Sequence, residues 1–318
     1  MLAGSRSDSL KDSSLGVSPS TVHQAVASPS CGEGALLVTR SSGYHFIVPG
    51  FGFLIPLLLL MVVVFDAPIV YMLALAFWDK AQGFTLGYYG DVFEAPVYLR
   101  VLANTVRISV VATIVSVIIG YPLAHWIRGL GRRAKMVALA LVVLPFWVSV
   151  LVRTYAWIVL LGNDGLVNRA LQWLGLVQAP VSFLYNELGV TIGMTNVLLP
   201  LLVLPLYAAM ARVDDRLLQA AASLGAPPST IFWKVYFPLT LPSLAAGTLL
   251  ALILCLGFYI TPAILGGGRV PMISNVLDTL INVYPNWGQA SAISTILLVV
   301  TLLIFAIYRR IDQTTSTK

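Results

Sequence analysis

Charge is scarce in this chain. Asp, Glu, Lys and Arg together make up 10% of its 318 residues, against about 25% in ordinary soluble domains. A soluble fold could not clothe its surface from that stock. Cysteine and histidine are scarcer still, limited to Cys31 and Cys255 and to His23, His45 and His125. One cysteine lies in a polar tail and the other in an apolar run, so no disulfide framework and no Cys-based metal site is expected. The histidines are too dispersed to share a metal, and His125 reads as an interfacial side chain. There is no Gly-x4-Gly-Lys-Ser/Thr loop, so the chain has no phosphate cradle of that kind for ATP. No convergent catalytic set is visible either, which counts against an integral membrane enzyme.

What the chain has instead is hydrocarbon: 58% of it is hydrophobic. Crossing a bilayer takes about 20 mostly apolar residues, and six stretches qualify. They run from Phe46 to Phe77 (interrupted by "DAP" at Asp66 to Pro68), Ala103 to Ile127, Met136 to Leu161, Leu188 to Ala211, Leu239 to Leu265 and Ala290 to Tyr308. The expected class is all-α, a polytopic membrane protein with six transmembrane helices. "GLVNRALQWLGL", Gly165 to Leu176, is too short to span and reads as an amphipathic surface helix. Residues 1–43 are Ser-rich with no apolar run, which predicts a disordered cytoplasmic tail. A start codon chosen too far upstream is the alternative for part of it. Residues 44–102 are expected to hold the first span and a periplasmic loop, and residues 312–318 a second cytoplasmic tail.

Lys and Arg favour the cytoplasmic side. They gather in the N-terminal tail, at Arg128, Arg132, Arg133 and Lys135 after span two, at Arg212, Arg216 and Lys234 after span four, and at the C-terminus. The other loops hold Lys80, Arg100, Arg169 and Arg269. Both termini are therefore expected inside, and the net charge of +6 needs no nucleic acid to explain it. The same rule makes the loop after span four cytoplasmic. It is long for a connector. "DDRLLQAAASLG" places Leu217, Leu218, Ala221 and Leu224 at helical spacing behind two carboxylates that suit a helix start. Gly225 can close that helix in a left-handed turn. Pro227 and Pro228 then open a second short helix reaching Pro238.

These residues resemble the "EAA" loop of ABC importer permeases, which reads Glu-Ala-Ala, three residues, Gly, nine residues, then Ile-x-Leu-Pro. Here Gln219, Ala220, Ala221, Gly225, Val235, Phe237 and Pro238 fall at those places. Gln replaces Glu, which puts an ionic contact there in doubt, and Val and Phe keep the apolar character. "LPFWVSVLVRTYAWIVLLGNDGLVNRALQWLGL", "GFYITPAILGGGRVPMISNVLDTLI" and "NWGQASAIS" resemble the polyamine and opine branch, so the likeness covers Phe46 to Ile311.

The resemblance implies a type I permease fold, with a core over residues 103–311 and a coupling loop at 212–238. It implies an ATPase dimer as partner, docked on Gln219, Ala220, Ala221, Gly225 and Pro238. ATP and Mg would be held there and not in this chain. It further implies a second permease, a heterodimer being the expectation, a periplasmic solute-binding protein, and a bacterial inner membrane location. The cargo it suggests is spermidine or putrescine, with an opine, 2-aminoethylphosphonate or ferric iron as alternatives. An ion-coupled secondary transporter is a rival reading, but no repeat between the halves supports it.

For the path, ionisable and aromatic residues in spans are the candidates. Asp278 is the better-placed carboxylate. Asp66 falls at the outer boundary, where solvation also accounts for it. Tyr155, Trp157, Phe258 and Tyr259 could stack on ammonium groups or simply pack. Asn104, Thr105 and Asn196 offer polar contacts or interhelical hydrogen bonds. Arg107 and Arg153 can snorkel or pair.

Overall fold

The computed structural model describes residues 51–79 and 83–316. The expected tail over residues 1–43 lies outside them, as does the start of the first span. Helix follows helix almost throughout. The exception is a small antiparallel hairpin, β1 (Trp78–Asp79) and β2 (Gly83–Phe84), which pairs Trp78 with Phe84 and Asp79 with Gly83. In chain order the helices are α1 (Phe51–Met61), α2 (Ala67–Leu75), α3 (Gly87–Glu94), α4 (Pro96–Gly129), α5 (Arg132–Trp147), α6 (Val150–Leu161) and α7 (Leu166–Trp173). After them come α8 (Glu187–Ala211), α9 (Asp215–Ser223), α10 (Pro228–Ile231), α11 (Phe237–Leu256), α12 (Ile260–Gly266), α13 (Ile273–Asp278) and α14 (Trp287–Ser316).

Six stretches are long and apolar enough to cross a membrane by length and composition: Leu54–Leu75, Pro96–Gly129, Val150–Trp173, Glu187–Ala211, Pro228–Leu256 and Trp287–Arg310. Two of them depart from the sequence reading. The third was expected as one helix over Met136 to Leu161. It is broken at Val148 and Ser149, whose backbones are extended (ψ 134° and 138°). Pro145 lies in the last turn of α5 and removes a donor from it. The fifth was expected to start at Leu239 and end at Leu265. It begins eleven residues earlier, at Pro228, and stops at Gly257, after which α12 sets off separately. The second short helix expected in the loop is therefore the first two turns of this span.

Wide π turns punctuate three helical runs among the described residues: Val62–Asp66, Phe232–Tyr236 and Thr279–Val283. Each closes with the same bond. The N–H of Ala67 donates to Val62, that of Phe237 to Phe232, and that of Tyr284 to Thr279. In every case the next residue is a proline, at 68, 238 and 285. A proline has no N–H, and its ring crowds the carbonyl four residues back. At Pro68 and Pro238, where the helix runs on, one extra residue in the preceding turn relieves that clash, which is how a π bulge accommodates the proline. At Pro285 the helix ends instead, with Tyr284 at φ −123° and ψ 79°.

The centre of the molecule is α4 packed along α8, with α11 against both. Lipid tails are as apolar as leucine, so helices in a bilayer associate through close fit more than through burial. The sequence supplies that fit with small residues. Ala112, Ser116, Gly120 and Ala124 recur every four residues on α4 and are buried. A Cβ on Gly120 would come within 3.0 Å of Leu202, and a Cβ on Gly247 of α11 would meet the same side chain at 3.0 Å. Leu202 of α8 thus fills the space that two glycines leave. Gly193 plays the same part against α12, where a Cβ would overlap Leu265 and come within 2.7 Å of Thr261.

Buried polar groups hold the irregular parts. Thr105 of α4 donates to Val101 and accepts from the N–H of Ile273, which pins the start of α13 to α4. Asn168, fully buried on α7, donates to Gly162 and Val181 and accepts from the N–H of Val181. These bonds tie α7 both to the end of α6 and to the segment that leads into α8.

Candidate functional site

The loop that carries the EAA-like residues is a helix with both ends closed. Asp214 caps α9 by accepting from the N–H of Arg216 at 2.9 Å. At the other end the N–H of Ala226 donates to Ala221 and that of Gly225 to Ala222, a Schellman motif. Gly225 has φ +81° there, and a Cβ would meet nothing within 4 Å. The glycine is required by backbone conformation and not by space.

Gln219, Ala220 and Gly225 are exposed, and Ala221 is half-buried. The apolar stripe divides. Leu218 packs into the core cluster beneath, while Leu217 and Leu224 face outward, Leu224 at 88% exposure. Pro238 is exposed and lies apart from the turn, in the first turn of α11 beyond the π bulge.

Three residues of α4, in contacts not foreseen from the sequence, fasten this turn to the spans. Arg128, in the last turn of α4, is ion-paired with Asp215, donates to the carbonyl of Val213 at 3.4 Å, and lies 5.0 Å over the ring of Tyr236. His125 stands edge-on to Phe232 and Tyr236, at 5.5 and 5.0 Å between ring centres. The Tyr121 hydroxyl is 3.0 Å from that of Thr240 on α11. Tyr121, His125 and Arg128 follow one another at intervals of four and three, so they share one face of α4. That polar and aromatic face, at the end of an apolar span beside a basic loop, was the available signal. The result is a continuous contact from α4 through the π turn to α9.

The path candidates separate as clearly. Tyr259 and Asp278 are brought together. The Asp278 carboxylate is near enough to hold the Tyr259 phenol above its ordinary pKa, and Asp278 accepts from Asn282 at 2.7 Å. Both line a cavity of about 300 Å³ with Asn275, Pro262 and Val270. Tyr259 lines a second cavity, of about 240 Å³, with Val150, Val197 and Thr261. It sits where α11 ends and α12 begins, so the helix break faces both spaces. Ser274 donates to the carbonyl of Phe258 at that break. Asn196 is next in sequence to Val197, and its side-chain oxygen is buried without a hydrogen-bond partner among the described residues.

Phe258 also lines the second cavity while packing on the core cluster of α4, α8 and α11. Trp157 packs on the same cluster and lines neither cavity. Tyr155 is exposed on α6, Asp66 is exposed on its π turn, and Asn104 is half-buried on α4. Arg107 pairs with Glu187 at the start of α8, so pairing is its role in this structure.

The comparisons with known proteins agree with this architecture. The sequence pattern of the binding-protein-dependent transport system inner membrane component matches residues 101–317. The spermidine/putrescine transport system permease protein PotB of Haemophilus influenzae is 37% identical over 234 residues, covering 74% of this chain and 82% of that one. Its namesake from Escherichia coli is 31% identical over 235 residues, covering 74% and 85%. A putative 2-aminoethylphosphonate transport system permease protein, PhnU of Salmonella paratyphi A, is 29% identical over 234 residues, covering 69% and 76%. A chain of the bacterial alginate ABC transporter, solved with an alginate-bound periplasmic protein, superposes with a TM-score of 0.70 at 19% identity, over 83% of this chain and 94% of that one. With its six apolar spans and the matched core, the chain belongs to the family of inner membrane components of binding-protein-dependent transport systems.

Proposed function

We propose that this chain, the non-catalytic permease of an ABC importer, carries a polyamine such as spermidine or putrescine across the inner membrane. The observation behind the cargo is the Tyr259–Asp278 pair at a helix break, in a chain similar to permeases named for those two amines. A carboxylate beside an aromatic face suits a small cation. Discontinuous helices also leave backbone carbonyls free to meet a solute in a membrane.

The machine around it is assigned on the same footing. An ATPase dimer, holding ATP and Mg, seats the α9 turn in its grooves through Gln219, Ala220, Ala221, Gly225 and the outward Leu217 and Leu224. A second permease, a different chain, covers the faces that this one leaves to lipid. A periplasmic binding protein delivers the cargo from the side opposite α9. Both termini are cytoplasmic, as the Lys and Arg distribution indicates. Closing of the ATPase pulls α9, the contact through Arg128 and Tyr236 moves α4 and α11, and the path alternates. ATP binding shifts that equilibrium only through its different affinity for the two states.

The test is reconstitution in lipid discs with the ATPase and second permease. ATP hydrolysis is measured with binding protein that is empty, loaded with spermidine, or loaded with 2-aminoethylphosphonate. Stimulation by the spermidine-loaded form, reduced in Asp278→Asn, is expected. Stimulation by the phosphonate-loaded form alone transfers the cargo assignment to that class. A chain that assembles with no ATPase removes the role given to the α9 turn.

A further inference from the structure

The short helix α7 contributes nothing to the path or to the contacts of the α9 turn, yet it carries some of the most exposed apolar side chains in the chain. Trp173 is 86% exposed and Leu166 68%. The helix is held firmly. A Cβ on Gly165 would run into the carbonyl of Leu160, so the turn out of α6 is tight. Asn168 bonds to Gly162 on one side and to Val181 on the other. The far end closes on Gly175, at φ +70°, where the N–H of Leu176 donates to Leu171 and that of Gly175 to Gln172, a second Schellman motif. α7 therefore sits at the junction of α6 and α8, at the end of α8 opposite the α9 turn.

This helix has three sides and not two. At about 100° per residue, Leu166, Ala170, Trp173 and Leu174 fall within one arc, and all four are exposed. Val167, Asn168 and Leu171 occupy the next arc and are buried or half-buried. Arg169 and Gln172 fill the remainder and are exposed. One side meets the protein, one is bare hydrocarbon and one is polar. Open water does not suit the second side, and the bilayer interior does not suit the third. All three are satisfied at a bilayer boundary, with protein beside, acyl chains beneath and water above.

The depth agrees. α5 and α6 are 16 and 12 residues long, and at 1.5 Å per residue they reach about 40 Å, against about 30 Å of hydrocarbon. The span is thus complete before α7 begins. Apolar exposure runs on from α6, whose Val152, Tyr155 and Val159 are open along the span, Val159 close to its end. Successive spans alternate in direction, so the end of the third and the start of the sixth lie on one side of the membrane. Tyr284 and Trp287, exposed there, match Trp173. Exposed Trp and Tyr gather at the headgroup level of membranes.

We propose that α7 binds the phospholipid surface of the leaflet opposite the α9 turn. Leu166, Trp173 and Leu174 enter the boundary between headgroups and acyl chains, and Arg169 lies at the level of the phosphates, whose charge it complements. The partner of this face is lipid, and neither the second permease nor the binding protein. Through Asn168 the anchor holds the junction of α6 and α8 at a fixed depth. The proposal does not rest on the cargo assignment, since none of these residues belongs to the path or to the α9 turn.

Orientation decides the matter. In a chain carrying Cys31→Ser and Cys255→Ala, a nitroxide is attached through Leu174→Cys or Gln172→Cys. The full chain, and its complex with the ATPase and second permease, are placed in discs of phosphatidylethanolamine and phosphatidylglycerol. Relaxation by oxygen, which concentrates among acyl chains, is compared with relaxation by a nickel chelate, which stays in water. The oxygen-to-nickel ratio is expected severalfold higher at 174 than at 172, in chain and complex alike, and unchanged by the binding protein. Equal ratios at the two positions put α7 in water and overturn the proposal. A label at 174 that loses both responses on assembly with the second permease, or on addition of the binding protein, gives the face to that protein and overturns it as well. A second measurement leaves both cysteines in place. The tryptophan emission lost to lipid brominated in the upper part of its acyl chain should be smaller in Trp173→Phe than in the parent chain, and an equal loss in both overturns the proposal. Failure of the complex to assemble with any ATPase removes the role given to the α9 turn and leaves the full-chain readings to decide this face.

Discussion

At the scale of single residues, Gly225 and Arg128 carry the assignment of the α9 turn, for different reasons. At Gly225 the open space around the missing Cβ isolates the backbone term. A non-glycine residue in the left-handed region costs about 1–2 kcal/mol, with Asn and Asp the best tolerated. Gly225→Asp is therefore expected to leave the complex assembled while transport per ATP hydrolysed falls, because a charge now sits at the docking face. Gly225→Asn, conformationally matched and uncharged, should retain most of the coupling. Equal coupling in the Asp variant would falsify the docking role.

Arg128 is judged by what else it touches. Its partner Asp215 is 73% exposed on its side chain, and such a pair is worth about 0–1 kcal/mol. Asp215→Asn should therefore change little. Arg128→Ala also loses the Tyr236 ring and the Val213 carbonyl, so it should lower both the melting temperature and the coupling ratio further. If the two variants behave alike, the ion pair alone matters and the stacking does not.

At the scale of elements, the decisive contacts are between helices that glycine lets approach. Gly193→Ala forces a methyl into Leu265 and Thr261, and overpacking of this kind costs about 1–3 kcal/mol. Gly90→Ala on α3, where a Cβ meets nothing within 4 Å, is the matched control. It should be neutral or slightly stabilising, because an unfolded chain with alanine has less freedom to lose. Thermal unfolding of both variants in detergent checks the contrast, and a Gly193→Ala chain as stable as the control would mean that the α8–α12 contact is looser than drawn. Elements were largely legible in the sequence where hydropathy alone decides them, as for α4, α8 and α14. They were misread where a break needs knowledge of neighbours. Pro145 and Gly257 end helices inside apolar stretches that read as continuous, while the short helix that Pro227 and Pro228 were expected to open in the loop runs on into the span. Proline at a helix start is as natural as proline at a helix end, and local sequence does not say which applies.

At the scale of the whole molecule, protection is uneven. None of the Leu54–Leu75 window is buried, against half of the Glu187–Ala211 window. The first span touches the rest chiefly through α2 against α14. Amide exchange of the isolated chain in detergent should therefore release 54–75 well before 187–211, and adding the second permease should slow the first span most if that face is its seat. Uniform protection would argue that the first span is held by its own chain. The same unevenness explains which parts of the site could be read in advance. The α9 turn is local, and its Gly225, Ala220 and Ala221 announce themselves by spacing. The joining of Tyr259 to Asp278, of Arg128 to Tyr236, and of Gly288 to Tyr88 depends on which helices meet. That is set by packing across tens or hundreds of residues, and it leaves no short pattern to find.

The two π turns that precede Pro68 and Pro238, where the helix runs on, have a consequence for heredity. Each amounts to one inserted residue bound to one proline codon, so neither change is neutral without the other. Deleting Val235 alone leaves Pro238 against a carbonyl it cannot clear. Pro238→Ala alone lets the bulge relax and turns everything before it by about 100°. The two together restore an unbroken helix in the original phase, and that double variant should couple transport to ATP hydrolysis better than either single one. Among descendants of this chain, loss of such a proline and loss of one residue just before it should therefore travel as a pair.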